Sequence, residues 1–342
     1  MKIILLTLLL LTTLFSFQSF NNINKKYKFT SEKDLHKVYI PLISAHFYKQ
    51  KCQYFYTKDN LKIAYKIFLV KNAKATIVIS SGRTEGMIKY QELIYDLNQN
   101  GYNIYILDHR GQGYSSRMLK DTQIGHVNNF FDYVEDMNYF VNKLVKKDKK
   151  LILLGHSMGG AIASLYVETY PTDFNALVLS SPMHQPELLS KSMTNIVCSL
   201  VEKRKTNIDK YILGKNNYEK SELSFEKNIL THSKERYELA DMAYQKEPET
   251  KIGGPSVNWV AQACLWSQAS VDMAHKIKIP VLLLQAGEDK VVNDQPQKEF
   301  CKNSKGLCKG YKIDGAYHEL FIEKDSIREK ALTAVLDFIS KI

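Results

Sequence analysis

The hydrophobic positions change period several times along the chain. Gln53–Thr57 and Leu61–Ile67 alternate around Lys58-Asp59-Asn60, which predicts a β-hairpin. Thr76–Ser80 is a continuous apolar run of the kind found in a strand buried on both faces, and Asn103–Leu107 is a second. Between them, Ile88–Leu97 has helical spacing and stops before Gly101. Phe130–Val145 repeats that spacing through Phe130, Val134, Met137, Phe140, Val141 and Leu144. Leu151–Leu154 and Ala176–Leu179 are strands that flank a further helix. Strands alternating with helices imply an α/β fold, a mostly parallel sheet with helices on both faces.

The rhythm breaks after residue 183. From 184 to 272 the sequence is helical and polar-rich with no convincing strand, and PVLLLQ at 280–285 restores the α/β pattern. Gly310–Ile313 predicts a last short strand and Ile327–Ile339 a last helix. The expected organisation is one α/β core formed by 51–183 and 273–342, interrupted by a helical insertion at 184–272.

The N-terminus is different again. Only Lys2 precedes an apolar run from Ile3 to Phe17. At 15 residues it is short for a bilayer span of about 20 and has the length of a secretory h-region. Residues 1–20 are therefore expected to be a signal peptide or membrane anchor, with the protein in the cell envelope. A basic extension, 21–50, follows. Across 21–74, twelve lysines stand against Glu32, Asp34 and Asp59, which carries most of the net charge of +11. Such a stretch suits an anionic membrane surface, or is simply a solvated lysine-rich face. It holds no nucleic-acid motif, so nucleic acid is not an expected partner. Apolar content of 44% and charged content of 24% are otherwise those of an ordinary globular chain.

Five cysteines fit no metal spacing, and no His/Asp/Glu cluster suggests a metal. Cys301 and Cys308 bracket a six-residue loop and can pair in an oxidising compartment. Cys198 and Cys264 are expected to be small buried hydrophobes.

Candidate chemistry lies at the end of the Leu151–Leu154 strand. Gly155-His156-Ser157-Met158-Gly159 fits G-x-S-x-G between a strand and a helix, the nucleophile elbow that lifts a serine Oγ above a sheet edge. Gly155 and Gly159 supply the near-absence of side chains that this turn requires. A serine hydroxyl needs a base, and the base needs an orienting acid, in the chain order Ser, acid, His. LLLQAGEDKVV puts Glu288 and Asp289 after a late strand, and KIDGAYHELF puts His318 after the last one. Ser157 is thus the expected nucleophile, His318 the general acid and base, and Asp289 the group that fixes the imidazole. Glu288 and the more remote Asp294 are the alternative acids. Backbone N–H groups of Met158 and Arg83, the latter in the loop SSGRTEG, are the expected oxyanion hole. His156 reads as a wall of the elbow, and His109 and His126 as loop hydrogen-bonding groups.

With GRTEGMIKYQELIYDL, DHRGQGYS, GHVNNFFDYVEDM, GHSMGGAIA, GGPSVNWV and GAYHELFIEKD in view, residues 50–342 resemble the bacterial inner-membrane lysophospholipases. These lie in the monoacylglycerol-lipase-like branch of the α/β-hydrolases. The resemblance implies an α/β-hydrolase fold, ester hydrolysis of single-chain lipids, the triad Ser157–Asp289–His318, and no cofactor. Ser81-Gly82 replaces the His-Gly common in that branch. The expected substrate is a lysophospholipid or monoacylglycerol, and the insertion becomes a cap that roofs an acyl tunnel and touches a membrane. Its apolar stripe runs through Leu189, Met193, Ile196, Val197, Leu200 and Val201. A monoacylglycerol lipase or general carboxylesterase would carry the same residues. A non-catalytic lipid-binding protein on this scaffold would not need the base.

Overall fold

The computed structural model describes residues 26–188, 190, 192–218 and 224–342. Eight strands form one sheet: β1 (Gln53–Tyr56), β2 (Lys62–Phe68), β3 (Ala75–Ser80), β4 (Tyr102–Leu107), β5 (Leu151–His156), β6 (Ala176–Ser180), β7 (Val281–Ala286) and β8 (Cys308–Ile313). Their order is β1-β2-β4-β3-β5-β6-β7-β8. The β1–β2 and β2–β4 pairs are antiparallel, and every later pair is parallel.

The helices are α1 (Leu35–Val38), α2 (Ala45–Lys49), α3 (Gln91–Gln99), α4 (Phe131–Lys143), α5 (Met158–Thr169), α6 (Thr194–Glu202), α7 (Lys234–Lys246), α8 (Val257–Asp272), α9 (Asp294–Asn303) and α10 (Asp325–Ile339). Strands β3, β5, β6 and β7 are buried at every position because helices cover both faces, which is why they read as unbroken apolar runs. On one face, Val134, Met137, Phe140 and Val141 of α4 pack with α5 and α8 over Leu153 and Leu179. On the other, Leu93, Ile94 and Leu97 of α3 join Leu332, Val335 and Leu336 of α10 over Ile77 and Ile104. Each fully buried side chain of this size contributes about 1.5–3 kcal/mol of hydrophobic stabilisation.

Between β6 and β7 the described residues form helices and turns, with three isolated bridges, Gly125 to Pro255, Pro186 to Val292 and Tyr211 to Ser256. Ser233 and Ser256 cap α7 and α8 by accepting from the N–H groups of Arg236 and Trp259. Leu189 of the apolar stripe lies outside the described residues.

The N-terminal segment packs onto the body. Leu35, Ile43 and Phe47 are fully buried. The Thr30 and Glu32 N–H groups donate to the carboxylates of Asp96 and Asp325. Arg236 of α7 joins the same corner, donating to Glu92 and Asp325, while Arg328 pairs with Asp96. Burial, offset in part by Arg328, leaves the Asp96 carboxyl raised to about 6. Most lysines of 26–74 are exposed, but Lys66 is buried and donates to the carbonyls of Phe47 and Gln50.

Two expectations are corrected. Among the described residues no helix is long and apolar enough to cross a membrane. The signal or anchor expected at 1–20 lies outside the described residues, and its 15-residue apolar run falls short of a bilayer's thickness. The cell-envelope location that rested on it is withdrawn. Cys198 and Cys264 are not isolated thiols either: they form a disulfide joining α6 to α8. Cys301 and Cys308 are also bonded, and Cys52 is free.

Candidate active site

The elbow is built by backbone crowding. Ser157 follows β5 and precedes α5 with φ 53° and ψ −119°, a conformation costly for any side-chain-bearing residue. A Cβ at Gly155 would lie 2.5 Å from the Gly159 carbonyl oxygen, and one at Gly159 would strike the Ser80 and Ser81 carbonyls. Glycine is therefore required at both positions. The turn is held by the Ser157 N–H donating to the Ser180 carbonyl and by the Met183 N–H donating to the Ser157 carbonyl.

Three loops converge here. Ser157 Oγ lies 2.9 Å from His318 Nε2, and His318 Nδ1 lies 2.8 Å from Asp289 Oδ2. With Nδ1–H donating to the carboxylate, Nε2 is left to accept the serine proton. Ser157 and His318 are buried. The other oxygen of Asp289 accepts from the N–H groups of Val291 and Val292. Burial works to raise the Asp289 carboxyl, but the neighbouring imidazole and these hydrogen bonds outweigh it and hold the group below the usual carboxylate range. Glu288 is exposed, and Asp294 pairs with Lys298 on α9.

The loop after β3 presents Arg83. The Gly82 N–H is already taken by Glu85 Oε2 at 2.7 Å. Among the described residues nothing accepts from the Arg83 N–H. The Met158 N–H, at the first position of α5, has no intrahelical carbonyl to meet. Thr84 takes φ 61°, and Asp108 braces the loop by accepting from the Met87 N–H. Burial pushes the Asp108 carboxyl up to about 7.

Sequence reasoning missed a second polar layer. Lys89 binds both Glu85 and Glu319, tying the loop after β3 to the loop that carries His318. Glu85 also accepts from Tyr90 OH. Although burial works to raise it, the Lys89 ammonium and neighbouring donors lower the Glu85 carboxyl to about 2. His156 accepts no role in the relay: its ring lies 4.9 Å from that of His318 while its Nδ1 meets the Ser180 carbonyl at 3.1 Å. The signal was present in the fragments RTEG and HEL, but their spatial meeting was not. His109 bonds Ser80, and His126 bonds Ser256 and Asn128.

A sheet of this order with a serine at the elbow defines the class, a serine hydrolase of the α/β-hydrolase fold. The chain belongs to the Hydrolase_4 family, described as serine aminopeptidase, S33, which matches residues 71–325. It is 34% identical over 298 residues to lysophospholipase L2 of Escherichia coli K12, covering 83% of this chain and 85% of that protein. To mouse monoglyceride lipase it is 28% identical over 273 residues, covering 78% and 82%. A structure of a soluble variant of monoglyceride lipase from Saccharomyces cerevisiae superposes with a TM-score of 0.66 at 18% identity, covering 85% of this chain and 94% of the other. That likeness shows the fold.

Proposed function

We propose that the chain is a lysophospholipase, and that Ser157, His318 and Asp289 carry its chemistry. The similarity to lysophospholipase L2 along 298 residues carries the substrate reading. The spacing of the three side chains supports the roles. His318 Nε2 takes the proton as Ser157 Oγ attacks the acyl carbonyl carbon, and the Arg83 and Met158 N–H groups receive the oxyanion. Collapse breaks the ester bond, and the leaving glycerol oxygen takes the proton from His318. Water then repeats the sequence on the acyl-serine and releases a fatty acid.

Residues 184–272 act in this reading as a cap over the core of 51–183 and 273–342. Exposed Ile196, Leu200 and Leu265, with Lys203, Arg204 and Lys205 beside them, support contact between this cap and an anionic lipid surface.

The test is a panel of a lysophospholipid, a monoacylglycerol of the same acyl chain and a short-chain ester, with Ser157→Ala as blank. The highest kcat/KM is expected for the lysophospholipid. Preference for the monoacylglycerol would move the chain to the lipase reading, and turnover of none would remove the enzyme reading.

A further inference from the structure

The fragment DHRGQGYS follows β4 and contributes no side chain to the relay, yet one of its residues reaches the loop after β3. Gln112 is buried, and its Nε2 donates to the Gly82 carbonyl at 2.7 Å and to the Glu85 carbonyl at 2.8 Å. Both partners are acceptors, so only the amide NH2 fits between them, and that fixes the orientation of the side chain.

Gln112 is itself held on all sides. Gly111 and Gly113 take φ 83° and 56°, and so turn the chain sharply before and after it. The Gln112 N–H donates to the His109 carbonyl, the Gln112 carbonyl accepts from the Ser115 N–H, and the Gly111 N–H donates to the Ser116 carbonyl. Asp108 ties this loop to the one after β3, accepting from the Met87 N–H with one oxygen and from the Tyr114 N–H with the other.

The Gly82 carbonyl belongs to the same peptide as the Arg83 N–H. A peptide is planar, and in its trans form the C=O and the N–H point to opposite sides. No peptide bond among the described residues is cis. Anchoring that carbonyl therefore sets the direction of the Arg83 N–H without touching it. The neighbouring hydrogen bonds do this less well. The Gly82 N–H, bound to Glu85 Oε2, belongs to the preceding peptide, and the Glu85 N–H reaches the Gly82 carbonyl only at 3.4 Å. We propose that Gln112 is a positioning residue, which aims the Arg83 N–H at the developing oxyanion by holding the opposite end of its peptide. The inference rests on the oxyanion assignment made above for the Ser157 reaction, and adds the side chain on which that assignment depends.

Hydrolysis of p-nitrophenyl butyrate, which has no lipid headgroup, and inhibition by an alkyl trifluoromethyl ketone test it in the full chain. Ser157 Oγ adds to the ketone carbonyl carbon, its proton passes to His318 Nε2, and the carbonyl oxygen becomes an alkoxide in the place of the ester's oxyanion. Gln112→Met should lower kcat/KM by about 10- to 100-fold, less than the loss of a whole oxyanion donor. The fall should lie in kcat and not in KM, as for a contact made only in the transition state. The inhibition constant of the ketone should rise by the same factor. Gln112→Glu, equal in size but with oxygens facing both carbonyls, and the shorter Gln112→Asn should lie on the same log–log line, with a slope of about one. Both carbonyls keep longer bonds, from the Glu85 N–H and from Ser81 Oγ, so the fold does not hang on the amide alone. If Gln112→Met does not fold, the other two variants carry the comparison. Unchanged kcat/KM overturns the proposal, as does a loss that leaves the ketone's inhibition constant where it was, the result of a merely structural role. Either result beside normal wild-type turnover removes the positioning role alone. A wild type that hydrolyses neither this ester nor any lipid of the panel removes the enzyme reading, and the positioning role with it.

Discussion

The sheet and the segment inserted after it are built on opposite terms. Strands β3, β5, β6 and β7 bury every residue. The described residues between β6 and β7 leave Met193, Ile196, Leu200, Leu213 and Leu265 exposed, and a disulfide joins α6 to α8. Packing on two faces fixes the strand ends to within small tolerances, which a proton relay requires. If that segment is the proposed cap over an acyl chain, it can keep apolar surface unpaired and use a covalent cross-link to limit its freedom. Burial is thus complete in the strands under the proposed chemistry and partial in the segment between β6 and β7.

The sharpest way to break this contrast is at Ser157. Ser157→Ala should lower kcat by about 10⁶-fold if the three side chains act as a unit, by analogy with subtilisin. A largely active variant would place the chemistry elsewhere. Asp289→Asn should cost about 10⁴-fold in kcat, by analogy with the corresponding trypsin change, because the amide no longer selects the productive tautomer. If Glu288→Gln does the damage instead, the acid is wrongly assigned.

The covering should respond differently. Replacing Cys198 and Cys264 by alanine removes a cross-link spanning 66 residues and should lower stability by about 2–4 kcal/mol. Urea unfolding measures that loss, and limited proteolysis should cut first within 184–272. Cleavage beginning in the sheet would contradict the contrast.

The smallest effect concerns acid. Burial lowers His184 to about 3, whereas an unfolded chain protonates it near 6.5. Its contribution is fully present above 6.5 and is lost as pH falls towards 3. Between pH 6 and 4 the wild type should therefore lose stability more steeply than His184→Gln. Parallel urea midpoints for the two proteins would refute it.

Much of this architecture was legible because its signals are local. An apolar run such as Leu151–Leu154 needs cover on both faces wherever it sits, and a serine between Gly155 and Gly159 constrains its own turn. The loops of Asp289 and His318 followed from chain order, and the structure brings their side chains within hydrogen-bonding reach of one another and of Ser157. Long-range partnerships were not legible. Residues 21–50 read as a basic extension because lysines conceal Leu35, Ile43 and Phe47, whose burial depends on α3 and neighbouring elements. Arg236 gave no hint of Glu92, 144 positions away, nor did Cys198 of Cys264. Charge pairs and cross-links of this kind carry no periodicity.

The Lys89 bridge has a mechanical corollary. One ammonium holds Glu85 and Glu319 together, so the strip of backbone proposed to steady negative oxygen and the strip bearing the imidazole share a common fastening. Thermal wandering of either is then passed to the other as a joint displacement. The catalytic cleft can drift as a whole without its two edges losing alignment.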